Sequence, residues 1–178
     1  MNVKASDVVV IRKMVQERDP QAMKSMQAAL TSAKECFPIV SATEWIRLEQ
    51  ESDILQAAAR VLYPADPQAL QRLGCAVAGI VFNGIYKVFL RVASVDFIIK
   101  RLSAIWRTLY DQGEARIENM TSNSGTLVAT NMPDLSLVQR QYICGYLTGV
   151  LQLAGVKNVQ VTHVSADSKA WQWMFRWE

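Results

Sequence analysis

The segment CGYLTGVLQLAG, Cys144 to Gly155, sets two glycines inside a helical run. A glycine in a helix interior costs roughly 1 kcal/mol relative to alanine, so something must offset Gly145 and Gly149. Four residues apart, they share one helical face and strip it of side chains, where another backbone or a ligand approaches closely. The spacing predicts a helix that opens at Pro133-Asp134 and ends with Gly155 just past its C-cap.

On either side of this helix the pattern changes to period two. Upstream, EARIENM and GTLVATN flank the turn residues TSNS and predict a β-hairpin. Downstream, NVQVTHVS alternates, the turn ADSK follows, and AWQWMFRW alternates again. In that last strand Trp171, Trp173, Phe175 and Trp177 share one face, a large apolar surface that helices or a partner subunit must cover. The order helix, strand, strand, helix, strand, strand predicts an α+β domain with helices on one face of a four-stranded antiparallel sheet. In that arrangement the two glycines let their helix lie close on the sheet or against the helix that ends at Gly113.

Further upstream the pattern is helical. Residues 6–18 fit a helix through Val8, Ile11 and Val15, with a β-branched strand as the alternative. Asp19-Pro20 starts a second helix that Pro38 ends. Ser41 and Glu44 have the spacing of a capping box, followed by a helix to Leu62. Asp66-Pro67 repeats the cap-plus-proline start for QALQRLGCAVAGIVFNG, whose apolar residues run nearly all round and predict a central buried helix. GIYKVFLRVAS is mostly helical on this reading. Capped by Ser94 or Asp96, Ile98, Leu102, Ile105, Trp106 and Leu109 then form the stripe of an amphipathic helix.

The 178 residues suffice for one core, read as an N-terminal helical extension over 1–59 and the α+β domain over 60–178. Hydrophobic residues make up 51% of the chain, an apolar content consistent with a dimer interface or a lined cavity. A net charge of +3, with scattered lysines and arginines, argues against nucleic acid as a partner. The first residues have too short an apolar core for a secretory signal, and Leu73 to Phe82 is too short to span a bilayer, so the chain reads as cytoplasmic. Cys36, Cys75 and Cys144 form no Cys-x-x-Cys pair, and each reads as a small buried thiol.

The stretch YICGYLTGVLQLAGVKNVQVTHVS, with a last strand ending in Phe175-Arg176-Trp177, resembles 4-vinyl reductase domains and their heme-nitric-oxide-binding-like relatives. It is most similar to a bacterial group of proteins of about this length, abundant in deltaproteobacteria. The resemblance covers roughly residues 60 to 178. It implies a small-molecule-binding or regulatory domain, often dimeric, with a pocket between helices and sheet. Vinyl reductase domains with a proposed metal site carry a cysteine pair in the last hairpin, whereas Ser165 and Trp171 stand nearest to those positions here. The ADSK turn is also shorter than in those domains and lacks their glycine. Heme sensors of the related fold use a helical histidine and a Tyr-x-Ser-x-Arg motif, but His163 is the only histidine and falls on a predicted strand. No metal and no cofactor are therefore expected.

Candidate ligand contacts follow from the same resemblance: Tyr86, Phe89, Trp106 and Tyr110 on the helices it places around the pocket, and Tyr142, Cys144, Gly145, Tyr146 and Gly149 on the glycine-bearing helix. For each, ordinary packing is the default reading. His163 alternates with Val159 and Val161 and reads as structural, and Glu49 with Asp53 as a solvated acidic face. No phosphate loop, nucleophile motif or metal motif marks an enzyme. The function expected is a non-enzymatic sensory domain for a small apolar ligand, signalling through a protein interface. The alternative is an interaction or dimerisation module whose pocket is filled by side chains.

Overall fold

In the computed structural model, residues 1–82, 95–132, 135–167 and 170–178 are described, the side chains of 96 and 165–167 excepted. A short strand β1 (Asn2–Lys4) leads into α1 (Ser6–Arg18) and α2 (Pro20–Ala29). Strand β2 (Trp45–Arg47) pairs antiparallel with β1, Val3 opposite Ile46, and runs straight into α3 (Leu48–Leu62). Then come α4 (Ala69–Phe82), α5 (Val95–Leu109), the hairpin β3 (Glu114–Glu118) and β4 (Ser124–Thr130), α6 (Leu137–Leu153), and the hairpin β5 (Gln160–Asp167) and β6 (Ala170–Arg176). The second sheet is antiparallel throughout, in the order β3-β4-β6-β5. The α+β class and the four-stranded sheet match the sequence reading.

Local expectations are corrected at several points. The second helix stops at Ala29, because the Asp53 carboxylate of α3 accepts the Thr31 N–H at 2.8 Å and the Ala33 N–H at 3.0 Å and turns the chain away. That turn buries Ala33, Phe37 and Val40 in the core. Ser41 and Glu44 close a turn, with the Ser41 N–H donating to the Glu44 carboxylate, and do not start a helix. Residues 45–47 pair with the N-terminal strand instead, a long-range contact that the local pattern does not carry. Finally, α4 is not buried all round, since Ile80 is exposed.

Helix α1 is formed as the apolar spacing predicts, and Asp19 caps α2 by accepting the Ala22 N–H at 2.7 Å. Gly113 and Gly155 sit at φ +82° and +88°, the left-handed backbone that favours glycine past a helix end. Helix α6 starts later than the Pro133-Asp134 reading expects, with Ser136 as its cap, because the Ser136 hydroxyl accepts the Gln139 N–H. Asp96 lies within α5 and does not cap it, while the readings for residues 84–94 and the turn residues 168–169 lie outside what is described.

The hydrophobic interior has two parts. One joins α1, α2 and α3 with Leu73 and Val77 of α4 and Tyr142 of α6, and so combines residues from both sides of position 59. The other lies between α5, α6 and the inner face of the sheet. The aromatic face of β6 is covered within the chain: Trp171, Trp173, Phe175 and Trp177 are all buried. Trp173, wholly inaccessible, lies 5.9 Å from Trp106 between ring centroids and donates its Nε1–H to the Arg140 carbonyl at 3.2 Å. Trp173→Ala should cost about 3–5 kcal/mol of stability, read from the midpoint of urea unfolding.

The bare face of α6 meets neither the sheet nor α5. It lies on α4. A Cβ at Gly145 would fall on the Gln71 carbonyl, and one at Gly149 would sit 2.8 Å from the Cys75 carbonyl oxygen. Gly74 of α4 reciprocates, its missing Cβ making room for the Tyr142 carbonyl and the Tyr146 N–H. Close approach of two backbones is what offsets the intrinsic cost of these glycines.

Candidate functional site

Where α1, α3 and α6 meet, the interior is polar. Asp7, in the first turn of α1, is 7% exposed, and Glu51 of α3 is 4% exposed. The Tyr142 hydroxyl of α6 donates to Asp7 Oδ2 at 2.8 Å, and the Ser6 hydroxyl donates to Asp7 Oδ1 at 3.4 Å. Gln139, 2% exposed, serves Glu51. Its side-chain oxygen accepts the Ser136 N–H at 3.1 Å while Ser136 Oγ accepts the Gln139 N–H at 3.3 Å, a reciprocal cap on α6. The cap aims the amide nitrogen inward, where it donates to the Leu48 carbonyl at 3.0 Å and to Glu51 Oε2 at 3.2 Å.

Burial sets the protonation of this cluster. Loss of solvent pushes the Asp7 carboxyl up to about 6, its two hydroxyl donors pulling the other way. Burial, and then the charge of Asp7, push Glu51 up to about 8. Tyr110, Tyr142 and Tyr146 all have phenols held above the usual range, first by burial and then by the nearby acids.

Beside the cluster lies an open groove of about 580 Å³, bordered by Asn2, Arg47, Leu48, Ser52, Ser136 and Gln139. On its border the Ser52 and Ser136 hydroxyls are hydrogen-bonded at 3.0 Å, joining the starts of α3 and α6.

The aromatic candidates converge here in part. The rings of Trp106 and Tyr110 lie 4.5 Å apart between centroids, tilted by 32°, and those of Tyr142 and Tyr146 lie 6.0 Å apart. Electrostatic coupling to Asp7 ties Tyr110, Tyr142 and Tyr146 to the acid pair. Cys144 points elsewhere, toward the sheet, with Sγ 4.0 Å from Nδ1 of His163. Gly145 and Gly149 are filled by α4. Tyr86 and Phe89 lie outside the described residues.

Asp7, Glu51 and Gln139 were not singled out from the sequence, although each leaves a trace there. Asp7 stands four residues before Ile11, and Glu51 four before Leu55, each on the buried stripe of its helix. Ser136-Leu-Val-Gln139 has capping-box spacing.

The architecture is that of H-NOX domains. A variant of the Fe(II) unliganded H-NOX protein from K. algicida superposes with a TM-score of 0.68 over 98% of this chain and 96% of that one, at 10% identity. A T. Tengcongensis H-NOX variant gives 0.67 over 98% and 97% at 9% identity, and an S. oneidensis H-NOX protein in the Fe(II)NO ligation state gives 0.65 over 97% and 98% at 11%. The chain belongs to the family described as protein of unknown function (DUF2378), whose model matches residues 8–178. No curated protein matches it in sequence.

The residues present do not fit a histidine-held heme. The single histidine is half-buried on β5 with its Nδ1 4.0 Å from the Cys144 thiol, and burial and the Arg140 charge lower its pKa. Burial pushes the Cys144 thiol up to about 11, so it is protonated and a poor metal ligand at neutral pH. Among the described residues no group of three or more His, Cys, Asp or Glu is placed to hold a metal ion. Among them, too, no helix is long and apolar enough to cross a membrane.

Proposed function

We propose that this chain is a non-enzymatic regulatory domain that takes a small, uncharged, largely apolar molecule at the groove over Gln139 and reports it through α6 to a protein partner or a second copy of the chain. One observation carries the reading: a single nearly inaccessible side chain borders the groove, caps α6 and holds the buried Glu51. A ligand carbonyl or hydroxyl that takes the Gln139 amide competes with the Leu48 carbonyl, and the difference in contact energy shifts the packing of α6 against α3. Leu48 supplies the apolar wall, and the opposite charges of Arg47 and Glu49 on the border favour a neutral ligand. The H-NOX fold supports the reading as a scaffold, and the resemblance to 4-vinyl reductase domains belongs to the same proposal.

A filled interaction module is the second reading. It is favoured by the α4 backbone that occupies the glycine face and by the mutual packing of Trp106 with Tyr110. Native mass spectrometry of the purified chain separates the two. The ligand reading expects one small adduct per chain that is lost on denaturation and absent in Ser52→Trp, which plugs the groove. Bare chains in the wild-type spectrum, monomeric or dimeric, would overturn it in favour of the interaction module.

A further inference from the structure

Among the described residues, the junction of α1, α3 and α6 holds two carboxylates and pairs no cation with either. Among the described residues the hydrogen-bond partners of the Asp7 and Glu51 carboxylates are neutral: the Tyr142 and Ser6 hydroxyls and the Gln139 amide. The other titratable groups facing them are Tyr110, which follows α5, and Tyr142 and Tyr146 of α6. Among the described residues no lysine, arginine or histidine forms an ion pair with either acid. A buried charge without a counter-ion is costly, and two of the same sign in one dry site are costlier. The junction therefore closes fully only with protons in it.

We propose that the Asp7–Glu51 pair is a proton-operated latch on α6: when it is protonated, Tyr142 and Gln139 seat on α1 and α3, and when both acids ionise the first turns of α6 are released. Geometry makes α6 the element that responds, because Tyr142 and Gln139 stand three residues apart on it and each ends on a different one of the two acids. α4 grips the same helix further along, at Gly145 and Gly149, so the release is confined to its start. The pair titrates as a unit, and the two protons leave in succession as the pH rises through about 6 and about 8. The phenols, raised above their usual range, stay protonated throughout. Because Ser136 and Gln139 border the groove, the latch also sets its shape, and only this consequence rests on the ligand reading above.

The test uses the ligand-free chain, so its failure and that of the ligand reading are separate results. Amide hydrogen exchange is followed for residues 137–146 between about pH 5 and about pH 9, corrected for the intrinsic pH dependence of exchange. Opening of this segment should rise by on the order of tenfold or more across the range, while β6 stays protected. Glu51→Gln, neutral at every pH and still an acceptor for Gln139, should abolish the rise. A flat wild-type profile, or the same rise in Glu51→Gln, overturns the latch. Should that variant fail to fold, infrared spectroscopy of the wild type decides: a protonated carboxyl band at neutral pH that disappears on the alkaline side is expected, and its absence refutes the proposal.

Discussion

Gly145→Ala should destabilise the protein by about 2–4 kcal/mol, even though alanine is the better helix former by about 1 kcal/mol. The added methyl lands on the Gln71 carbonyl, and helix backbone in the first turn of α4 cannot swing aside as the end of a flexible side chain does. Relief requires the two helices to separate, which opens gaps around Leu73, Val77 and Tyr142. Gly79→Ala, on α4 itself, is the control. A Cβ there meets nothing within 4 Å, so only the propensity gain remains, and stability should rise by roughly 0.5–1 kcal/mol. Urea unfolding of the two variants should give midpoints displaced in opposite directions. Equal midpoints would mean that α4 and α6 are not in backbone contact.

The second large effect is on the pH dependence of global stability, and its sign is opposite to that of ordinary acid denaturation. Both buried carboxyls have folded-state values raised above their unfolded ones, Asp7 from 3.8 to about 6 and Glu51 from 4.5 to about 8. The folded chain therefore binds more protons than the unfolded chain in that window, and stability falls as the pH rises. The full contribution is present below about pH 4, is lost progressively, and is gone above about pH 8. The loss should amount to on the order of 3–5 kcal/mol between about pH 5 and about pH 9, measured by denaturant unfolding at a series of pH values. The double variant Asp7→Asn, Glu51→Gln should flatten that slope, and a slope unchanged in it would place the titrating groups elsewhere.

Much of the α+β framework was legible because it rests on side-chain periodicity. The alternation of Trp171, Trp173, Phe175 and Trp177 placed all four on one face, and the structure buries that face under the chain's own helices. Asp19-Pro20 and Gly155 marked helix ends through properties of single residues, a side-chain acceptor, a fixed φ and a tolerated positive φ. Ser41 and Glu44 misled, because their capping spacing also suits a turn, and pairing with Asn2–Lys4 sets the outcome forty residues away. Tyr110, Tyr142 and Tyr146 were offered as ligand contacts; the structure buries Tyr142 and half-buries the other two, and the acids that give the junction its chemistry were not visible. A lone acid on an apolar stripe is ordinarily solvated, and only neighbours supplied by other helices make Asp7 and Glu51 exceptions.

By itself, the sequence determined where most helices and strands lie, that one strand face needed covering, and that α6 carries a bare patch, because each follows from the spacing of neighbours along the chain. Only the tertiary structure decided that the patch belongs to α4, that Gln139 joins a groove to a buried acid, and that two carboxylates share one dry junction. Solvent exclusion and backbone approach are properties of segments that meet in space. The charge state of Glu51 is therefore set by burial, then by Asp7 of α1 and Gln139 of α6, and not by its own neighbours in α3.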